Sequence, residues 1–228
     1  MPTIDVGGVE KNFILISNYL AQNLKKVTIV STTCRLKNKF RNNIKFVSLF
    51  NLNIEILPRR IKFLLSLILL FIEILKNKNI LVFSFQANIY SIILCKLLGT
   101  KVIVRLNTAP QGWHHNLIKK KIYNYVIKKA DGVIVNSKYF QKEVKKRFGI
   151  KSIFINNPFD FKRIKKLSKI KVKKNYEKKD IKLITVGRLT EQKDHLTILK
   201  SMKILDKKKI NYKLIIIGKG YLRPFLIN

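Results

Sequence analysis

Hydrophobic and polar positions follow two alternating patterns along the chain. Short runs rich in Val, Ile and Leu are typical of buried strands, and they lie at residues 27–31, 44–49, 80–85, 101–106, 133–135, 152–155, 181–186 and 212–217. Between them, apolar residues recur at helical spacing, which predicts helices at residues 9–24, 59–76, 89–98, 116–130 and 139–148, and another that begins at Thr190 or Asp194. Strands that alternate with helices in this way predict an α/β fold with a parallel sheet covered by helices on both faces.

The pattern is interrupted by a basic stretch that divides the chain. Residues 1–158 are predicted to form a first Rossmann-like domain, residues 159–180 a basic, exposed linker with a short helix, and residues 181–228 the start of a second domain. The first domain is expected to lack its opening strand, since six residues precede the first glycine pair and both Pro2 and Asp5 disfavour a central strand. The second domain holds two strands and one helix, too few to enclose a core, so we expect it to be incomplete.

The chain carries a large excess of positive charge. It has 48 Lys and Arg residues against 12 Asp and Glu residues, a net charge of +36, yet its mean hydropathy of +0.02 and its 47% hydrophobic content predict a globular protein with a core. Such a charge suggests nucleic acid or an anionic membrane surface as a partner. The lysines, however, are spread over every segment and accompany abundant Ile and Asn, which are also encoded by A/T-rich codons. Part of the excess therefore reflects base composition, and nucleic acid is the less favoured partner.

The sequence contains no recognisable motif for metal binding, secretion or membrane crossing. Its two cysteines, Cys34 and Cys95, stand outside any CxxC or Cys/His spacing, which is typical of a protein of the reducing cytoplasm. The amino-terminal residues lack the basic and apolar regions of a signal peptide. The longest apolar run, residues 61–75, contains Lys62 and Glu73 and is shorter than a transmembrane helix. We interpret it as a helix buried against the sheet, with a helix lying in the membrane plane as the alternative.

The candidate chemistry lies where the strand at residues 181–186 ends. Gly187 ends this strand, and Arg188 and Lys193 follow in the loop before the next helix. Ligands of open α/β sheets bind at the carboxyl ends of the strands. The planar fork of Arg and the point charge of Lys suit a diphosphate, so the pattern predicts an anion site, with a solvated loop as the alternative.

Several segments, taken in chain order, resemble one family. A glycine loop and a helix open the chain as DVGGVEKN and LISNYLAQNL, followed by the strand VTIVST. Further along come ADGVIVNSKYFQKEV, INNPFD, VGRLTEQKDH and LIIIGKG. In order and spacing over residues 6–223, these segments resemble the retaining glycosyltransferases of family four. The resemblance implies the GT-B architecture, in which two Rossmann-like domains face each other across a cleft.

The resemblance implies a glycosyltransferase of the hexosyltransferase type. It would transfer a sugar from a nucleotide sugar, in particular a UDP-sugar, to a glycan or lipid-linked acceptor in the synthesis of cell-surface polysaccharide or glycoconjugates. Arg188 and Lys193 would bind the donor diphosphate. The other candidate positions are the donor-loop glycines Gly187, Gly218 and Gly220, the amino-terminal glycines Gly7 and Gly8, and the cleft residues Asn107, Ser137 and Asn157. No catalytic residue is assigned. No cofactor or metal is expected, because the nucleotide sugar is a substrate and the sequence carries no metal motif. The expected location is the cytoplasm, with peripheral contact at the inner face of the cell membrane.

The sequence also departs from the family pattern. In the loop after a central strand, where many members carry a His, this chain has Leu106-Asn107, and His114 and His115 further along are predicted as surface or rim residues. The family's later pair of Glu residues would lie beyond the last residue, so the chain is expected to be truncated at both ends. An inactive fragment of such an enzyme is therefore one alternative, and a basic protein that binds nucleic acid or an anionic surface is another. A nicotinamide-dependent enzyme is disfavoured, because the first glycine pair lacks the Gly-x-Gly-x-x-Gly pattern.

Overall fold

The strand pairs described by the computed structural model are parallel, as the alternation of strands and helices predicts. The structure describes residues 1–4, 7–33, 35–49, 56–107, 117–170 and 181–227. Its strands are β1 (Val27–Val30), β2 (Ile44–Val47), β3 (Leu81–Ser84), β4 (Lys101–Leu106), β5 (Gly132–Val135), β6 (Ile153–Phe154), β7 (Ile181–Val186) and β8 (Tyr212–Ile217). Its helices are α1 (Gly8–Asn23), α2 (Arg59–Lys76), α3 (Asn88–Leu97), α4 (Leu117–Ile127), α5 (Lys138–Phe148), α6 (Phe161–Ser168), α7 (His195–Lys207) and α8 (Arg223–Ile227).

The structure divides into two units, Met1–Ile164 and Lys165–Asn228. In the first unit, β2 pairs with β1, and a separate group of strands has the order β3, β4, β5, β6. In the second unit, β7 pairs with β8 in register along their whole length. The division falls within α6, the short basic helix expected in the linker, and residues 171–180 of that linker lie outside the described residues.

The core of the first unit is built on β4 and β5. Val102, Val104 and Val135 are fully buried, because a strand that lies between two others and under helices has no side open to water. Helices α3, α4 and α5 contribute further buried side chains to this cluster, among them Ile92, Cys95, Val126, Ile127, Phe140, Val144 and Phe148. This packing fixes the carboxyl ends of the central strands, where the functional loops begin.

Local signals set the helix ends around this core. Gly99 terminates α3 with a φ of 67°, and the N–H of Thr100 then donates to the carbonyl oxygen of Cys95 at 2.8 Å. Ser137 caps α5, since its Oγ accepts a hydrogen bond from the N–H of Phe140 at 3.0 Å. The end of α3 at Gly99 and the start of α5 after Ser137 were both predicted from the sequence, and both are confirmed.

Asp131 joins the turn after α4 to the start of β4. Its Oδ2 atom accepts hydrogen bonds from Lys96 Nζ and from the backbone N–H of Val102, each at 2.7 Å. The Lys96 ammonium group and the Val102 N–H hold the pKa of Asp131 below its usual value. This carboxylate, in the segment ADGVIVNS, therefore stabilises the fold by linking the turn after α4 to α3 and to the start of β4.

We expect Asp131→Asn to destabilise the first unit at neutral pH and to remove part of its acid sensitivity. Hydrogen bonds to a charged, partly exposed group contribute about 1–2 kcal/mol. Because the folded-state pKa lies below the unfolded-state pKa, this stability is present above the unfolded value of about 4 and is lost as the pH falls through the folded-state value. Urea unfolding at about pH 7 and about pH 3 should therefore show a difference between variant and wild type that shrinks at the lower pH.

The matched control for Asp131→Asn is Glu143→Gln. This change neutralises the carboxylate of the i,i+4 ion pair with Arg147 on α5, whose N–O distance is 2.7 Å, and such helical pairs contribute about 0.3–0.5 kcal/mol. Equal losses of unfolding free energy for the two variants would contradict the role assigned to Asp131.

Residues 1–4 form no strand, as expected, but they pair with the chain just after β1. The N–H of Thr32 donates to the carbonyl oxygen of Pro2 at 2.9 Å. Ile4 is buried in the same apolar cluster as Ile29 of β1. This pairing was not predicted, because proline cannot donate a backbone hydrogen bond, although its carbonyl oxygen still accepts one.

Helix α2 has the predicted bounds, but the prediction that it is buried is wrong for its outer face. Ser66 and Ile74 are buried, whereas Leu64, Ile68 and Leu75 on the opposite side are exposed. The hydrophobic content of the helix predicted burial, but it does not report which side of the helix a neighbouring element covers. None of the described helices is both long and apolar enough to cross a membrane.

The sheet of the second unit keeps much of its apolar surface exposed. Ile184, Val186 and Ile217 all have more than a third of their surface open to water, since two strands with α7 and α8 offer little covering surface. This exposure agrees with the expectation that two strands and one helix are too few to enclose a core. Among the described residues of this unit, only Leu189 and His195 are buried. Leu189 lies within the loop that carries the candidate cations, and His195 follows it directly.

Candidate functional site

Two glycine-containing loops meet at the carboxyl ends of β7 and β8. The N–H of Leu189 donates to the carbonyl oxygen of Lys219 at 3.0 Å. A Cβ atom on Gly218 would overlap the carbonyl oxygen of Gly187, and a Cβ atom on Gly220 would overlap the carbonyl oxygen of Leu189. Only a residue without a side chain allows this backbone contact. The structure thus brings the three predicted donor-loop glycines together.

Arg188 and Lys193 extend from this pair of loops into solvent. Both side chains are exposed, and the stem of Lys193 lies against Gly187, 3.5 Å from where a Cβ atom would stand. Arg188 Nη2 donates to the side-chain oxygen of Gln192 at 3.3 Å. Among the described residues, no carboxylate forms an ion pair with either cation. The loop therefore carries an excess of positive charge that suits an anion.

The amino end of α7 adds to that charge. Asp194 adopts a φ of 47°, and its Oδ1 accepts a hydrogen bond from the N–H of Thr197 at 3.3 Å, so α7 begins at His195. Of the two predicted helix starts, Asp194 is confirmed, and Thr190 instead precedes a single 3-10 turn, Glu191–Lys193. The helix therefore starts directly after the loop, and its first turn contributes a partial positive charge.

No role was predicted for His195 from the sequence. Its side chain is buried, and neither ring nitrogen has a hydrogen-bond partner within the described part of the chain. A buried imidazole without partners forfeits its hydrogen bonds to water, at a cost of about 1–3 kcal/mol. In the sequence it stands as an ordinary polar residue at a helix start, and no local pattern distinguishes a buried one from an exposed one.

A second group of polar side chains lies at the carboxyl ends of β3 and β4 in the first unit. Ser84 Oγ donates to Asn88 Oδ1 at 2.9 Å, and Asn88 Nδ2 donates to the carbonyl oxygen of Arg105 at 3.0 Å. Asn107 Nδ2 donates to the carbonyl oxygen of Phe85 at 2.7 Å. These bonds tie the loop after β3 to the end of β4. The group, called the polar cluster below, consists of Ser84, Asn88, Arg105, Asn107 and Asn157.

Arg105 is the buried cation of the polar cluster. It is 1% exposed, and its Nη2 donates to Asn157 Oδ1 at 2.8 Å and to the carbonyl oxygen of Ile155 at 3.5 Å. Its Nε has no partner, and no carboxylate pairs with the guanidinium group among the residues that the structure describes. Burial lowers the pKa of Arg105. Arg105 was not predicted as a buried residue, because a lone polar position inside an apolar strand usually faces outward.

The amino-terminal glycines lie at the start of α1. Gly7 is the N-cap residue, with extended backbone, and α1 begins at Gly8. A Cβ atom on Gly7 would overlap the carboxylate of Glu10, which turns back over this residue and accepts a hydrogen bond from Gln86 Nε2 at 3.4 Å. Glu10 therefore links the glycine loop to the loop after β3, where the polar cluster lies.

The three predicted cleft residues differ in their surroundings. Asn107 and Asn157 belong to the polar cluster, whereas Ser137 caps α5. His114 and His115 lie outside the described residues. In the part of the chain that the structure describes, no three His, Cys, Asp or Glu side chains form a group that could hold a metal ion.

Comparison with known proteins identifies the class to which this architecture belongs. Residues 6–163 match the family model for Glycosyltransferase Family 4, and residues 167–227 match the one for Glycosyl transferases group 1. The first match covers more than half of the chain. The chain therefore belongs to glycosyltransferase family 4, and its Rossmann-like α/β units are of the GT-B type.

Similar proteins extend beyond the length of this chain. The uncharacterised glycosyltransferase MJ1059 of Methanocaldococcus jannaschii is 31% identical over 135 residues, which are 55% of this chain and 33% of that protein. Anabaena HepE, solved in complex with UDP and glucose, matches with a TM-score of 0.66 at 12% identity, over 99% of this chain and 62% of HepE. Phytolacca americana UGT2, complexed with UDP-2fluoro-glucose and pterostilbene, matches with a TM-score of 0.51 at 10% identity, over 94% and 70% of the two chains. The chain thus spans about a third of MJ1059 and about three-fifths of HepE.

Proposed function

We propose that this chain contributes the acceptor-side domain and the donor diphosphate site of a retaining hexosyltransferase that uses a UDP-sugar. The observation that carries the proposal is the pair of exposed cations, Arg188 and Lys193, beside two glycine loops in direct backbone contact. Family membership supports sugar transfer, and the fold relatives solved with UDP or UDP-glucose support the same donor class. The acceptor would be a glycan or a lipid-linked sugar in polysaccharide or glycoconjugate synthesis, and the reaction would take place in the cytoplasm.

The proposed reaction needs negative charge to be stabilised on the leaving group. The bond between the anomeric carbon and the diphosphate oxygen breaks, a bond to the acceptor oxygen forms, and the acceptor releases its proton. The diphosphate leaves with both electrons of the broken bond, so its negative charge grows in the transition state. Arg188 and Lys193 would offset this charge, and the amino end of α7 would assist them. Stabilisation that is greater in the transition state than in the bound donor raises the rate.

The glycine loops would bring the nucleotide close to the backbone. Gly218 and Gly220 leave room for the carbonyl oxygens of Gly187 and Leu189, so the two loops pack backbone against backbone at the strand ends, beside which the nucleotide would bind. Gly187 would take part in the same packing at the end of β7.

The polar cluster would serve the acceptor. The side-chain amides of Asn107 and Asn157 can each donate and accept hydrogen bonds, which matches the hydroxyl groups of a sugar. Arg105 holds Asn157 through a hydrogen bond of 2.8 Å, so it would act as a positioning residue. The amino-terminal glycines would lie on the same side, through the contact of Glu10 with Gln86.

Calorimetric titration of the chain with UDP, UMP and uridine tests the proposal. If the diphosphate is the recognised group, UDP binds at least about tenfold more tightly than UMP, and uridine binds more weakly still. Equal affinities for UDP and uridine would contradict a diphosphate site. Tighter binding of NAD than of UDP would favour the nicotinamide-dependent alternative, and displacement of UDP by single-stranded DNA with a steep salt dependence would favour nucleic acid.

A further inference from the structure

A continuous apolar stripe runs along the solvent side of α2. Its members recur every three or four positions and are between 39% and 59% exposed: Ile61, Leu64, Ile68, Phe71, Ile72 and Leu75. The opposite side of the helix carries the buried residues Ser66 and Ile74 and packs on the first unit. A helix of 18 residues is about 27 Å long. The stripe is therefore one extended apolar surface, unlike the scattered exposed hydrophobic residues of an ordinary protein surface.

The charged residues of this region stand at the two ends of the stripe. Arg60 lies at its start, Lys76 and Lys78 lie at its end, and all three are exposed. Glu73, the acidic residue of α2, has a side chain only 12% exposed and is paired with Lys45 at 3.0 Å and with Lys76 at 3.6 Å. The outer surface of α2 is thus apolar along its length and cationic at both ends.

This charge pattern decides which partner fits the stripe. A second copy of α2 would bring cations together in either orientation, because both helix ends carry them, and the whole chain has a net charge of +36. An anionic bilayer attracts each of these cations and accepts apolar side chains at the boundary between headgroups and acyl chains. We propose that α2 lies in the plane of an anionic membrane, with the stripe at that boundary and with Arg60, Lys76 and Lys78 on lipid phosphate groups.

Binding of α2 to a membrane would place the proposed sugar transfer at the bilayer surface. The functional meaning of the membrane proposal therefore rests on the proposed function. A protein held at a bilayer by α2 would favour the lipid-linked acceptor over the free glycan. Titration with UDP in the absence of vesicles reports on the donor loop alone, whereas vesicle binding reports on α2 alone. Failure of one proposal is therefore distinguishable from failure of the other.

Flotation of the chain with lipid vesicles tests the proposed surface. Vesicles of phosphatidylcholine are compared with vesicles that contain about one third phosphatidylglycerol. The expected result is binding to the anionic vesicles, which Leu64→Gln/Ile68→Gln weakens at least about tenfold. The matched control, Leu97→Gln/Ile153→Gln, changes two exposed apolar side chains on α3 and β6 and should leave binding unchanged. Absence of binding by the wild-type chain would overturn the proposal.

Charge variants separate a specific surface from general attraction between a basic protein and anionic lipid. Arg60→Gln/Lys78→Gln should weaken vesicle binding more than Lys142→Gln/Lys145→Gln on α5, which removes the same charge from another exposed surface. Equal effects of the two pairs, together with equal effects of the two apolar pairs, would overturn the proposal.

Size-exclusion chromatography of the same variants distinguishes the membrane from a second copy of the chain. Self-association of the wild type that is lost in Leu64→Gln/Ile68→Gln, with unchanged vesicle binding, would assign the stripe to a second copy and contradict the membrane proposal. Thermal melts followed by circular dichroism establish that the variants fold, as expected for substitutions at exposed positions.

Discussion

Removal of the positive charge at both Arg188 and Lys193 is expected to weaken UDP binding by about 10²–10⁴-fold. Each cation would form charge-assisted hydrogen bonds with the diphosphate, and each set contributes about 1.5–3 kcal/mol. Neither cation has an ion-pair partner among the described carboxylates that would be left unpaired by the change. The double variant Arg188→Met/Lys193→Met keeps most of the side-chain volume, so calorimetry with UDP reports the loss of charge and not of packing.

The control for this double variant is Lys200→Met/Lys203→Met. It removes two exposed cations from α7 in the same unit but outside the loop. If this control weakens UDP binding equally, the attraction comes from overall charge and the loop is not the site. The two single loop variants complete a double-mutant cycle, in which a coupling energy is expected if both cations contact the same diphosphate.

Gly218→Ala is expected to destabilise the second unit by about 3 kcal/mol and to abolish UDP binding. The added Cβ atom would overlap the carbonyl oxygen of Gly187, which belongs to the backbone and cannot rotate away as a side chain can. The two loops would then have to separate near the hydrogen bond between the N–H of Leu189 and the carbonyl oxygen of Lys219. Hydrogen exchange of the β7 and β8 amides measures the loss of stability, and calorimetry measures the loss of binding.

Gly8→Ala provides the matched glycine control. A Cβ atom on Gly8 meets no atom within 4 Å, and Gly8 is the first residue of α1. Because Ala is a better helix former than Gly, the first unit should gain about 0.5 kcal/mol. A Gly218→Ala variant with wild-type exchange rates and UDP affinity would show that the close approach of the two loops is dispensable.

Most elements of the fold could be predicted because their signals are local. Helix α2 and strand β8 have the predicted bounds, since periodicity and flanking polar residues define them within a short window. Gly99 and Ser137 end and begin helices where predicted, because a positive φ or a side-chain cap involves only a few neighbouring residues. The position of Arg188 between a strand end and a helix start could be predicted in the same way, and its role as a diphosphate ligand stays a prediction.

The features that the sequence did not reveal depend on distant contacts. Burial of Arg105 is coupled to Asn157, which lies 52 residues further along the chain. The pairing of Pro2 with Thr32 depends on a carbonyl group that every residue type carries, so composition does not report it. The exposed stripe of α2 was not predicted either, because its residues are as apolar as those that face the core.

The burial of Arg105 is expected to set the stability of the first unit against its proposed role in acceptor binding. A guanidinium group with no carboxylate partner in the described part of the chain costs folding free energy, and an apolar side chain of similar volume would avoid that cost. Selection for stability alone would therefore tend to replace this arginine. Such replacement would release Asn157 from its hydrogen bond, so a variant stabilised in this way is expected to bind the proposed acceptor more weakly.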